Sequence, residues 1–292
     1  MNLINQAEVE KKLSGRMTKN KVFKSIFLIC TLIGLIVLAI LIIDILRKGL
    51  PVMTGDFFTN FSSSSAHTAG VKGAVIGTLW LMMTLIPIAL VLGVGSAIYL
   101  EEYAKDNAFT KFIRVNISNL ASVPSIVYGL LGATIFVALL KLGNSVIAAA
   151  LTLALLILPV IIVASQEALK AVPNSVKEAS YGLGANKWQT IKNVVLPAAI
   201  PGIVTGVILA ISRAIGETAP LVAIGIPTIL LRTPNSILDS FQTLPLQIYD
   251  WARKPGIGFQ LLSSAAIIVL LAILLILNTI AVIIRNKYSK KY

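Results

Sequence analysis

The chain has 292 residues, 57% of them hydrophobic, with a mean hydropathy of +0.88 and a formal net charge of +13. A chain this apolar is not a soluble domain, and its single cysteine excludes an intrachain disulfide. Uncharged apolar runs of about 18 or more residues are long enough to cross a ~30 Å hydrocarbon layer. Backbone groups in lipid must bond within their own segment, and no alternating strand pattern suggests a barrel, so these runs are expected to be helices.

A basic segment, residues 1–24, precedes the first run, Ser25 to Ile43. That run starts too far along for a signal peptide, and Asp44-Ile45-Leu46-Arg47 offers no small-residue cleavage site, so it is read as a retained helix. Cys30 within it is read as packing. The helix and an outer loop make up residues 25–70. The loop, roughly Asp44 to Val71, is rich in Ser, Thr and Gly (Phe61-Ser62-Ser63-Ser64-Ser65) and carries the only histidine, His67, without a cysteine or carboxylate cluster that would make a metal site.

A core of five further spans is expected over residues 71–285. Its next spans are Gly73 to Leu100, Val115 to Leu140 and Leu142 to Gln166. Small residues stand close together on them and on the fifth span (Gly73 and Gly77, Gly93 and Gly95, Ser125 and Gly129, Gly202 and Gly206), spacing that lets helix backbones approach. Pro124 is expected to kink the third span.

A polar, amphipathic insert, Ser175 to Pro197, follows. Ser175 and Glu178 have capping-box spacing, which predicts a helix start there, with Val176, Ala179, Ser180 and Leu183 on one face. Gly182 and Gly184 are expected to end it. A second short helix is expected with Trp188, Ile191 and Val195 on one face, and Pro197 marks the start of a new span. Two short helices joined by a glycine elbow make a docking knob for a partner.

The fifth span begins near Val194 and runs beyond Ser212, and the sixth lies between about Leu261 and Ile284. Inside the fifth sit two charges, Arg213 and Glu217. Arg213 is 16 residues past Pro197, about 24 Å of helix, which puts both in the central or outer half of the bilayer. A central charge costs about 2.5–3.5 kcal/mol on insertion scales, so it faces a cavity or a partner. At i, i+4 the pair shares a helix face, and the guanidinium fork suits a tetrahedral oxyanion. A self-satisfied ion pair that only fixes packing is the alternative. Between the fifth and sixth spans, the stretch Ile226 to Gly258 carries four prolines and room for a short helix around Ser236 to Trp251, and a basic tail, residues 286–292, follows the sixth. Its length suits contact with a partner.

Six spans put both termini on one side. If that side is cytoplasmic, inner segments hold Lys11, Lys12, Arg16, Lys19, Lys21, Lys24, Lys105, Lys111, Arg114, Lys170, Lys177, Lys187, Lys192, Arg285, Lys287, Lys290 and Lys291, which is 17 of the 25 basic residues. This bias favours cytoplasmic ends and a cytoplasmic 175–197 loop. An anionic inner leaflet then accounts for the net charge; the basic N-terminus lacks interleaved aromatics for nucleic acid.

Two stretches carry a resemblance. Glu178-Ala179-Ser180, three residues, Gly184, nine residues, then Val194-Val195-Leu196-Pro197 resembles the E-A-A-x3-G-x9-I-x-L-P loop of binding-protein-dependent ABC importer permeases, with Ser for the second Ala and Val for Ile. Val123 to Leu130 (V-P-S-I-V-Y-G-L) is similar to a segment common in that family. Arg213 to Leu221 (R-A-I-G-E-T-A-P-L) looks like the signature of its phosphate-specific branch, the PstA permeases. The resemblance implies an all-α type I ABC importer permease fold with six transmembrane helices, and inward transport of inorganic phosphate. It implies a sister permease (PstC) as heterodimer partner, an ATPase dimer (PstB) and an extracytoplasmic phosphate-binding protein (PstS). Carried over by motif, Arg213, Glu217 and Thr218 would line the pathway, and Glu178, Ala179, Ser180, Gly184, Leu196 and Pro197 would form the ATPase contact.

The rivals are a permease for another oxyanion such as molybdate or sulfate, an ion-coupled secondary transporter, and a non-transporting scaffold. The sequence shows no inverted repeat for the second, and the third leaves the Arg213–Glu217 pair without a task. No G-x-x-x-x-G-K-[ST] loop, H-E-x-x-H or G-x-S-x-G motif is present, so neither nucleotide binding nor hydrolytic activity is expected of the chain itself, nor any cofactor.

Overall fold

A computed structural model describes residues 6–288. Lys290 and Lys291 of the basic tail lie outside the described residues, as do the first five of the N-terminal segment. Twelve helices follow in order: α1 Gln6–Gly49, α2 Gly55–Thr59, α3 Lys72–Ile98, α4 Ala108–Leu120, α5 Ser125–Gly132, α6 Val146–Lys170, α7 Asn174–Gly182, α8 Lys187–Thr190, α9 Leu196–Gly216, α10 Ala219–Ile224, α11 Leu244–Arg253 and α12 Ile257–Tyr288. Among the described residues the only β pairing is an isolated bridge between Ser145 and Ser240.

Among the described residues, five helical stretches are long and apolar enough to span a membrane. The expected third span, Val115 to Leu140, is not one helix. It is a broken pair, Ala108–Leu120 and Ser125–Leu139, bent by 104°. Pro124 stands at the break in an extended conformation (φ −56°, ψ 136°). It offers no N–H to continue α4, and its ring crowds the preceding turn. Asn107 starts α4 by accepting a hydrogen bond from the Thr110 amide.

α6 is the central helix, with one or more faces covered by α3, α5 and α9; Leu153, Ile157, Ile161 and Leu169 on it are fully buried. Small residues set these contacts. A Cβ added at Gly93 would meet Ile161, and one at Gly202 or Gly206 would meet Ala168 or Ala164. Gly95, by contrast, faces open space. α1 packs on α12 near Gly49, and its apolar stretch is otherwise uncovered. That is the pattern of a helix meant for an apolar solvent on all sides.

The two long loops, residues 50–71 and 225–256, are tied together by Gln242. Its amide donates to Ser62 Oγ at 2.9 Å and to the Thr228 carbonyl, while Ser62 Oγ accepts from the Leu230 amide at 3.2 Å. Phe57 and Trp251 are buried together beneath this layer. The expected helix around Ser236 to Trp251 forms only as Leu244–Arg253, because Asp239 Oδ2 accepts the Asn235 and Ser236 amides in a turn and Pro245 fits the helix start.

The expected capping box at Ser175 and Glu178 is absent. α7 begins a residue earlier, behind Pro173. The capping box forms instead at Asn186 and Gln189, whose side chains exchange bonds with each other's amides at 2.9 Å. Nor is the second short helix separate from the next span: Lys187 to Gly216 is continuous, through a π turn at Ile191–Val195. Pro197, near the start of α9, lacks the N–H for a regular helical bond, and the wider π turn absorbs that loss.

Candidate functional site

Gly202 opposite Ala168 and Gly206 opposite Ala164 set the antiparallel register of α9 on α6. Continued up the helix, that register carries Arg213 to about the level of Ile157, midway along α6. The charge is therefore central, as its distance from Pro197 implies. Here the helix stops. α9 ends at Gly216, Glu217 is extended (φ −72°, ψ 125°), and α10 begins after Thr218. The expected shared helix face is thus corrected: Glu217 lies past the helix end, not on it.

The ion pair still forms, with Arg213 Nε donating to Glu217 Oε1 at 3.2 Å. It uses only Nε, so both terminal amino groups of the guanidinium make no hydrogen bond among the described residues. The Arg213 side chain is 42% exposed and that of Glu217 16%. Broken helices at mid-depth present unpaired backbone groups as well as side chains to a polar path. Arg213 continues an exposed stripe on α9 through Gly202, Thr205, Leu209 and Gly216, a face this chain alone leaves open.

Two motifs that are far apart in sequence meet at this break. A Cβ added at Gly129 would lie 2.6 Å from Pro220 Cα and 2.7 Å from Ala223 Cβ. The V-P-S-I-V-Y-G-L segment therefore packs directly against the T-A-P-L turn. Tyr128 beside it is buried and donates to the Leu120 carbonyl at 2.7 Å, bracing the bend between α4 and α5. Gly129→Ala is expected to destabilise the fold by about 1–3 kcal/mol through overpacking. Gly95→Ala, with open space around it, is expected to leave the melting temperature in detergent unchanged or slightly raised. Spacing could not reveal the Gly129 contact, because its partner lies on a distant helix.

The other predicted residues lie together at the far end. Ser180 and Thr190 share a hydrogen bond at 2.9 Å across the elbow. Gly184 turns the chain at φ +84°, a conformation that glycine adopts without strain. Glu178 and Ala179 are exposed, and Leu196 and Pro197 are half-buried at the foot of α9. Ile191 and Val195 are buried, but Trp188, expected on their face, is 59% exposed, because α8 is already part of the span and turns that residue outward. With Leu183 at 90% and Tyr181 at 43% exposure, Trp188 leaves an apolar surface with no covering element. Exposed apolar side chains on a loop outside the membrane-length runs suit contact with a partner.

Residues 86–290 match the family of binding-protein-dependent transport system inner membrane components. The chain belongs to that family. This permease is 35% identical over 239 residues to the probable ABC transporter permease protein YqgI of Bacillus subtilis, covering 80% of each chain. It is 34% identical to the phosphate transport system permease protein PstA 1 of Mycobacterium tuberculosis strain H37Rv, over 92% of this chain and 88% of that one. With PstA of Yersinia pestis it shares 33% identity over 95% and 93% of the two chains. The fold is that of type I ABC importer permeases. It resembles the inward-facing MetNI methionine transporter (TM-score 0.60, 18% identity, 75% of this chain and 96% of that chain) and a bacterial alginate importer (TM-score 0.64, 14% identity, 96% and 100%). The permease is a multi-pass membrane protein and a transport component, not an enzyme; ATP hydrolysis, a second permease and a binding protein belong to separate subunits.

Proposed function

We propose that this chain is the PstA-type subunit of an importer that moves inorganic phosphate into the cell. Its partners in this reading are a PstC-type permease, a PstB-type ATPase dimer and the phosphate-binding protein PstS. The observation that carries the proposal is Arg213: a guanidinium midway through the bundle, paired only through Nε, on a side chain 42% exposed. Full-length relatives named as phosphate permeases support the choice of anion.

Both termini and the 174–197 loop are on the cytoplasmic side in this reading. The apolar patch of Leu183, Tyr181 and Trp188 docks on the ATPase, with Glu178, Ala179 and Gly184 shaping the contact. Closure of the ATPase dimer pushes on that loop, and rocking of the bundle opens the path outward. Phosphate released above then meets Arg213. Glu217 and Thr218, at the helix break, keep the contact transient, since a tight site would slow release.

A guanidinium alone does not separate phosphate from sulfate or molybdate. In the reconstituted assembly with its binding protein, phosphate is expected to stimulate ATP hydrolysis while sulfate and molybdate leave it at the basal rate. Stimulation by either of those and not by phosphate would transfer the assignment to that oxyanion.

A further inference from the structure

The cytoplasmic end of α3 does not finish as an ordinary helix. It widens into a π turn, Tyr99–Tyr103, closed by the Ala104 amide on the Tyr99 carbonyl at 2.8 Å. Two adjacent carboxylates, Glu101 and Glu102, sit on this turn. Three cations converge on it from three other elements. Lys177 of α7 donates to Glu102 Oε1 at 2.7 Å, and this pair is well shielded, with side-chain exposures of 17% and 7%. Lys187 of α8 lies 5.0 Å over the Tyr103 ring. Arg114 of α4 approaches Glu101 Oε2 at 3.4 Å and donates to the Leu100 carbonyl.

We propose that this acidic π turn is the joint that transmits motion from the coupling loop to the helix break beside Arg213. The proposal rests on the coupling reading above. Two of its contacts reach the coupling loop, at Lys177 and Lys187. The third reaches α4, whose last residue, Leu120, accepts at its carbonyl from the Tyr128 hydroxyl of α5 across the 104° bend. Next to Tyr128, Gly129 bears on Pro220, three residues beyond Glu217. Each link joins separate elements, so a shift of α7 reaches the site without passing along α9 itself.

Two features suit the turn to movement rather than to static bracing. A π turn holds one residue more per turn than an α-helix, and reverting it re-aims every side chain beyond it. Glu101 Oε2 is also buried with no hydrogen bond, held only by its 3.4 Å ion contact. A half-made contact of this kind has a tighter arrangement available, and buried ionic networks respond strongly to being completed.

The test uses the complete importer in proteoliposomes, with phosphate taken up per ATP hydrolysed as the readout. Glu102→Gln and Lys177→Met are each expected to lower that ratio by about tenfold while ATP hydrolysis continues. The exchanged double variant E102K/K177E is expected to recover most of it. Glu101→Gln, whose ion partner is Arg114 of α4 and not a loop residue, is expected to reproduce the loss. A ratio like the wild type in the single variants overturns the joint. So does parallel loss of uptake and hydrolysis without recovery in the exchanged pair, which marks a purely structural contact. If the wild-type importer moves no phosphate, the transport reading fails instead. The same variants are then compared by how far the loaded binding protein stimulates ATP hydrolysis, where equal stimulation in all of them overturns the joint.

Discussion

Arg213→Ala is expected to lower phosphate uptake by roughly 100-fold or more while the importer stays assembled. Two charge-assisted bonds from the terminal amino groups, at about 1.5–3 kcal/mol each, set that scale. Loss of the guanidinium also leaves Glu217 as an uncompensated anion in the path, which repels the substrate. Arg213→Lys keeps the charge but not the planar fork, and is expected to lose about tenfold. Uptake of labelled phosphate into proteoliposomes checks both, with size-exclusion chromatography reporting assembly. Uptake near the wild-type rate in Arg213→Ala would remove the anion contact and leave the pair as a packing device.

Leu183→Asp is the second large effect. Leu183 is 90% exposed at the glycine elbow, so the chain's own stability does not depend on it. Burying a leucine side chain on a partner contributes about 1.5–3 kcal/mol, and placing a carboxylate in that apolar contact adds a desolvation cost. Affinity for the ATPase subunit is therefore expected to fall by about 100-fold, with no change in melting temperature. A binding titration of the detergent-solubilised permease against the ATPase measures the first, and thermal unfolding the second. Undiminished binding would place the docking contact elsewhere on the chain.

Much of the candidate site's placement is legible in the sequence. An arginine and a glutamate within an apolar run have few structural explanations, because the insertion cost of each must be offset by a partner or a cavity. The loop with its spaced Glu178, Gly184 and Pro197 was equally plain, since polar residues between membrane-length runs must lie at the surface. What failed was local detail. Ser175 lost the cap to a helix that starts at Asn174, and Glu217 fell outside the helix that holds Arg213. Both errors come from reading helix ends by spacing when neighbouring prolines and packing decide them.

From its residues alone the chain is a bundle of membrane helices with one mid-depth ion pair and one polar knob, because hydrophobic length and the cost of buried charge act on each segment separately. Tertiary structure decided the rest: the packing of Gly129 on Pro220, and the three cations gathered on the π turn, Arg114 at Glu101, Lys177 at Glu102 and Lys187 over Tyr103. These depend on which helices become neighbours. That is fixed by the matching of small residues and side-chain volumes across α3, α6 and α9, a property of pairs of surfaces that no single segment contains.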